Sequence, residues 1–192
     1  MKVVLFNGSP HPKGSTSVYL AQVEAQLKAR GIETELVQMG AARFVNGCRG
    51  CSACAGKNAC PLAKEGDPIN EWYAKLVAAD GVILGSPVYY ANVSTEMKSF
   101  IDRAGYISMT NGNPLKGKVG AAITVCAESG QTEAFDAINH WFAYSGIVAV
   151  SNQCWNDGKA ATAEDAEKDE FGKEQLKNLG DNMADLLEKL RK

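Results

Sequence analysis

The sequence predicts a doubly wound α/β domain: a five-stranded parallel sheet in the order 2-1-3-4-5, with helices on both faces. Three observations carry this. Short, near-continuous apolar runs alternate with stretches of helical period. Five such strand–helix units fit within 192 residues. Polar loops with Gly and Ser follow the first, third and fourth of the apolar runs, where folds of this class place their ligands.

The elements follow in order. Lys2–Phe6 is a short apolar strand that ends at the turn signal Asn7-Gly8. A helix starts at Ser15, with Leu20, Val23 and Leu27 on one stripe and Gly31 placed to close it. Thr34–Gln38 is the second strand. An irregular segment holding four cysteines comes next. Residues 69–79 form a helix, and Gly81–Gly85 is the third strand. Ser94 caps a helix that puts Met97, Phe100 and Ile101 on one face. Lys118–Val125 and Ile147–Val150 are the fourth and fifth strands, and His140 sits beside Trp141 on the helix between them. A long last helix carries Leu176, Leu179, Met183, Leu186 and Leu190 at steps of three and four. That stripe suits packing on the sheet; a dimer seam is the other reading. With five βα units, no internal repeat and no linker, residues 1–192 read as a single domain of the flavodoxin-like kind.

Composition narrows the function. Hydrophobic residues make up 45% and charged residues 22%, an ordinary globular balance. A net charge of -2 gives no footprint for nucleic acid or an anionic membrane. Val3–Phe6 is too short for a signal-peptide core, and no apolar run reaches the ~20 residues of a spanning helix. A soluble, cytoplasmic protein is expected. In a reducing compartment, clustered cysteines serve metal binding or catalysis rather than disulfides.

Three loops form the expected ligand site. The first, Asn7–Ser17, offers tight turns at Gly8 and Gly14 and hydroxyls at Ser9, Ser15, Thr16 and Ser17, with His11 beside them. It leads into a helix N-terminus, a ready place for phosphate. It matches neither GxxxxGK[ST] nor GxGxxG, which argues against nucleoside triphosphates and dinucleotides. One terminal monophosphate, as in FMN, suits it. The second loop contributes Ser86, Pro87, Val88, Tyr89, Tyr90 and Asn92, aromatic surface and backbone polar groups for a flavin ring. The third contributes Glu128, Ser129 and Gly130 as the far wall.

The stretches GSPHPKGSTS, CRGCSAC, ADGVILGSPVYYANVSTEMKSFIDR and LKGKVGAAIT resemble the NADPH-dependent FMN reductase superfamily, and among its members the iron–sulfur flavoproteins. The resemblance covers most of residues 1–150. It implies FMN, with its phosphate held by Ser9, Gly14, Ser15, Thr16 and Ser17 and its ring by Pro87–Asn92. It also implies a 4Fe–4S cluster on a compact cysteine segment, and a homodimer or homotetramer.

Cys48, Cys51, Cys54 and Cys60 stand in the pattern CX2CX2CX5C, inside a loop at about 46–62. Cysteines three apart around a turn place sulfurs on adjacent corners of a cubane, and the last spacer reaches up to roughly 20 Å. Structural zinc sites use two short pairs separated by a longer stretch instead. Zinc and free redox-active thiols remain the rivals. Gly47, Gly50 and Gly56 favour a folded-back loop, Lys57 and Lys64 are the nearby cations, and Cys126 and Cys154 read as structural thiols. The expected function is an FMN-dependent oxidoreductase with a 4Fe–4S cluster. It would pass electrons between a donor such as ferredoxin or NAD(P)H and a small-molecule or protein acceptor. The alternatives are a cluster-free NAD(P)H-dependent FMN or quinone reductase, and a non-enzymatic electron carrier with a zinc-bound loop.

Overall fold

Alternation along the strands sets the layers. In β1 (Lys2–Asn7), Val3 and Leu5 face one side of the sheet while Val4 and Phe6 face the other, and all four are fully buried. Both faces therefore need cover, and helices supply it. The computed structural model describes residues 1–41 and 46–191.

One face is covered by α1 (Ser15–Ala29), a short α5 (Ala163–Lys168) and α6 (Glu170–Leu190). The other is covered by α2 (Ile69–Ala78), α3 (Thr95–Met109) and α4 (Gln131–Ser145). On this second face Phe100 sits between Phe6, at a centroid distance of 4.4 Å, and Trp141, at 6.3 Å. The remaining strands are β2 (Glu33–Gln38), β3 (Gly81–Tyr89), β4 (Asn92–Val93), β5 (Val119–Cys126), β6 (Val148–Ala149) and β7 (Asp157–Lys159). The main path runs β2-β1-β3-β5-β6 with parallel pairing throughout. Counted by main strands, this is the expected 2-1-3-4-5 order.

Three details depart from the sequence reading. The third strand does not stop at Gly85. It continues through Pro87, which still pairs with Val125, and folds back as a hairpin onto β4. The fifth strand is shorter than Ile147–Val150 and is split. β6 pairs with the start of β5 and β7 with its end, with residues 150–156 looping out between them. The polar run Ser151-Asn152-Gln153 cannot replace apolar strand residues there, and Asn156 Oδ1 instead accepts hydrogen bonds from Ser151 Oγ and Asn152 N. The last difference is in α6, whose buried stripe is Leu176, Leu179, Met183 and Leu187, with Leu190 exposed. It packs on α1, where Arg30 pairs with Asp181 at 3.0 Å and Asp185 at 2.7 Å. The stripe is used within the chain, so it gives no support to a dimer seam.

Candidate functional site

The first loop is fastened at its start through both polar groups of the Gly8 backbone. Gly8 N donates to Gly85 O at 2.7 Å, and Ser94 Oγ donates to Gly8 O at 2.6 Å. Within the loop, buried Asn7 accepts from Ser9 N at 3.0 Å, and Ser9 Oγ accepts from His11 N at 3.1 Å. Among the described residues no acceptor meets the Ser9 hydroxyl hydrogen. Gly14 caps α1 without any side-chain cap, and no acidic residue lies in the first turn. Among the described residues no acceptor meets the N–H groups of Ser15 and Thr16. Asn7 Nδ2 is likewise buried without a partner. Free N–H groups at a helix start, hydroxyls beside them and no carboxylate make an anion site. The residues present fit an FMN phosphate. Ser17 contributes less than expected, because its hydroxyl donates to Gly14 O at 2.7 Å. His11 is exposed at the rim.

In the second loop, Ser86 is fully buried. Its Oγ donates to Pro87 O at 2.8 Å and accepts from Ser94 N at 2.9 Å, so its part is to hold the hairpin. Pro87 is buried, Val88 half-buried, and Tyr89, Tyr90 and Asn92 exposed. The hairpin tip is strained: Tyr90 and Ala91 have φ of 48° and 55°. Two successive positive φ values define a turn that prefers Asn-Gly, and each costs a non-glycine residue about 1–2 kcal/mol. Nothing packs on Tyr90 to repay this, since its side chain is fully in solvent. Backbone strain that packing does not repay points to function.

The third loop meets the second. Gly130, at φ 87°, caps α4 so closely to the hairpin that a Cβ there would lie 2.9 Å from Ala91 Cα. Glu128 and Ser129 are exposed beside it. Cys126 is buried, donates to Gln131 Oε1 at 3.3 Å, and has its thiol pushed up by burial, as a structural cysteine should. Cys154 is exposed in the loop after β6.

Two residues with no obvious sequence signal complete the first loop's setting. A Cβ on Gly40 would fall 2.3 Å from Ser9 O, so only glycine lets the turn after β2 touch the loop. Gln38 Nε2 donates to Pro12 O at 2.9 Å.

The cysteine segment lies on the flank of α3. Cys48, Cys51, Cys54 and Cys60 all line one cavity of about 870 Å³, together with Arg103 and Tyr106. Cys48 and Cys51 are exposed, Cys54 buried and Cys60 half-buried. Side chains tie the segment down. Ser52 Oγ lies 2.9 Å from Tyr106 Oη, Asn111 Nδ2 donates to Cys54 O at 3.0 Å, and Asn70 bonds both Cys60 N (2.7 Å) and Cys60 O (3.1 Å). Gly50 and Gly56 turn it with φ of 61° and 72°. Among the described residues, no three His, Cys, Asp or Glu side chains come together as a ready ligand set. Cys54 Sγ rests 3.4 Å from Thr110 Oγ1 instead. The donor set matches an iron–sulfur cluster in kind, four thiols lining one cavity, but among the described residues the thiols do not converge. Lys64 lines the cavity's edge, and Lys57 is exposed. A second cavity of about 560 Å³, bounded by Asp80 and Lys118, lies at the opposite end of the sheet from the three loops. No helix among the described residues is long and apolar enough to cross a membrane.

Comparisons with known proteins find relatives over the whole chain. Residues 1–162 match the family model for NADPH-dependent FMN reductase. An iron–sulfur flavoprotein of Methanocaldococcus jannaschii is 32% identical over 202 aligned positions, covering 100% of both chains. An iron–sulfur flavoprotein of Methanosarcina thermophila is 30% identical over 194 positions, covering 100% of this chain and 98% of its own. Among solved structures, RosB with a bound 8-demethyl-8-formylriboflavin-5'-phosphate intermediate superposes with a TM-score of 0.77 at 16% identity, over 100% of this chain and 80% of that one. A flavodoxin from the domain Archaea superposes with a TM-score of 0.61 at 17% identity, over 100% of each chain. At these identities the structural likeness speaks for the fold, which is flavodoxin-like.

Proposed function

The chain belongs to the NADPH-dependent FMN reductase family of flavin-dependent oxidoreductases, and from that premise we propose that it holds FMN at the three loops and a 4Fe–4S cluster on Cys48, Cys51, Cys54 and Cys60. It would work in a reducing cytoplasm, between a donor such as ferredoxin or NAD(P)H and a small-molecule or protein acceptor. The supporting observation is the pairing in one chain of a helix N-terminus without a side-chain cap or first-turn carboxylate with four thiols on a single cavity.

When bound, FMN supplies hydride or two-electron chemistry and the cluster single-electron transfer. The chain's residues bind and orient. Ser9, Thr16 and the N–H groups of Ser15 and Thr16 hold the phosphate. The strained hairpin offers backbone polar groups and the Tyr89 ring to the flavin. No side chain is assigned a proton-transfer role. The cysteine cavity begins at Arg103, nine residues along α3 from Ser94, or about 14 Å at 1.5 Å per residue. A homodimer that brings one protomer's cavity to its partner's hairpin would shorten that gap, and the family resemblance favours such an assembly.

The cluster-free FMN or quinone reductase is the second reading, favoured by the lack of convergence among the thiols. Anaerobic purification decides between them. The proposal expects FMN, not FAD, in the extract, with four irons and four sulfides per chain. FMN without iron would establish the second reading, and FAD would overturn the phosphate-site assignment.

A further inference from the structure

Arg103 is buried on α3, its side chain 4% exposed and that of its partner Asp67 2% exposed. Arg103 Nη1 lies 2.9 Å from Asp67 Oδ1 and 2.7 Å from Oδ2. The same nitrogen donates to Asn46 O at 3.3 Å. Ser99, one turn earlier on α3, donates to that same carbonyl. Asp67 also accepts from Ile69 N at 3.1 Å, which ties it to the first turn of α2. Asn46 precedes the first cysteine of the segment and Asp67 follows the last. One guanidinium therefore holds both ends of the cysteine segment against α3. Arg103 and Asp67 line the same cavity as the four thiols.

Burying an ion pair is expensive, and a neutral hydrogen bond would tie two loop ends at lower cost. A fixed cation beside four thiols does something a neutral donor cannot. It offsets the net negative charge of a thiolate-ligated cluster, a charge that grows by one on reduction. We propose that Arg103 is the positioning residue of the cysteine site. It closes the segment onto α3 before any metal arrives, and its charge, opposed by Asp67, sets the reduction potential of the bound cluster. The charge half of this rests on reading the four cysteines as cluster ligands; the clamp half does not.

Two measurements test the halves separately. Hydrogen exchange on the full chain, stripped of iron and sulfide, tests the clamp. Arg103→Met should speed exchange around Asn46 and Ile69 about tenfold or more, the loss expected for hydrogen bonds to a charged group, and leave residues 8–17 unchanged. Unchanged exchange at both ends would overturn the clamp. Anaerobic redox titration of the reconstituted chain, followed by cluster absorbance, tests the charge. Arg103→Met should lower the midpoint potential and Asp67→Asn should raise it. Arg103→Lys should return it toward the parent value, and the double variant Arg103→Met with Asp67→Asn should lie between the single ones. Shifts in the same direction for both single variants, or none, would overturn the charge role, because a merely structural defect has no reason to change sign with the charge removed. A parent chain that takes up no iron and sulfide overturns the cluster reading and the charge half with it, while the exchange result still decides the clamp.

Discussion

At the carboxyl ends of the strands, one backbone bond and one capping hydroxyl do the fastening: Gly8 N donates to Gly85 O at 2.7 Å, and Gly8 O accepts from Ser94 Oγ at 2.6 Å. On the flank of α3, side chains do it: Arg103, Tyr106, Asn111 and Asn70 reach out to an otherwise irregular segment. The first region presents, among the described residues, helix N-terminal N–H groups that meet no acceptor. The second gathers four thiols on one cavity without bringing them together. A flavodoxin-like sheet delivers the first site as a by-product of its topology. The second is an addition to the fold, and under the proposed function its final shape would depend on the group it binds, as metal binding generally couples to local folding.

Variants of the two regions should separate them. The largest effect is expected from Ser9→Ala combined with Thr16→Ala. Each lost hydrogen bond to a charged group contributes on the order of 1.5–3 kcal/mol, so FMN affinity in a fluorescence titration should fall a hundredfold or more while iron content stays at the parent level. Unchanged affinity would show that other groups hold the phosphate. Gly40→Ala should come next. Its Cβ would meet Ser9 O at 2.3 Å, and relieving such a clash in a packed region costs about 1–3 kcal/mol. Thermal melts should show that loss in the chain without FMN, because the clash exists before the ligand binds. The smallest effect belongs to the hairpin. Ala91→Gly removes positive-φ strain but adds freedom to the unfolded chain. A net gain of about 0.5–1 kcal/mol in chemical denaturation is expected, with no effect on the cysteine site.

The same contrast explains what the sequence made legible. The apolar runs, the strand order and the first loop could be read because each follows a local rule: continuous apolar strands, a Gly- and Ser-bearing turn, a helix start. The cysteine spacing was equally plain. Ser86 was misleading, because a serine in a ligand loop looks like a binding group until its bonds to Pro87 O and Ser94 N are seen. Gly40 lies 31 residues from Ser9 in the chain, and Asp67 lies 36 from Arg103. Such pairs are set by packing across elements, and no local periodicity announces them. The split of the fifth strand has no sequence signal for a related reason: Asp157-Gly158-Lys159 has no strand pattern and is extended because β5 offers it an edge.

The cysteine assignment is tested most directly by Cys60→Ala beside Cys126→Ala. Cys60 lines the shared cavity, whereas Cys126 is buried at the end of β5 and bonded to Gln131. Iron, sulfide and flavin are measured per chain in anaerobically purified parent and both variants. Ligation by the four clustered cysteines predicts four irons in the parent and in Cys126→Ala, with loss of the cluster or a three-iron form in Cys60→Ala, and FMN retained in all three. Zinc in the parent, or four irons and an unchanged spectrum in Cys60→Ala, would contradict it.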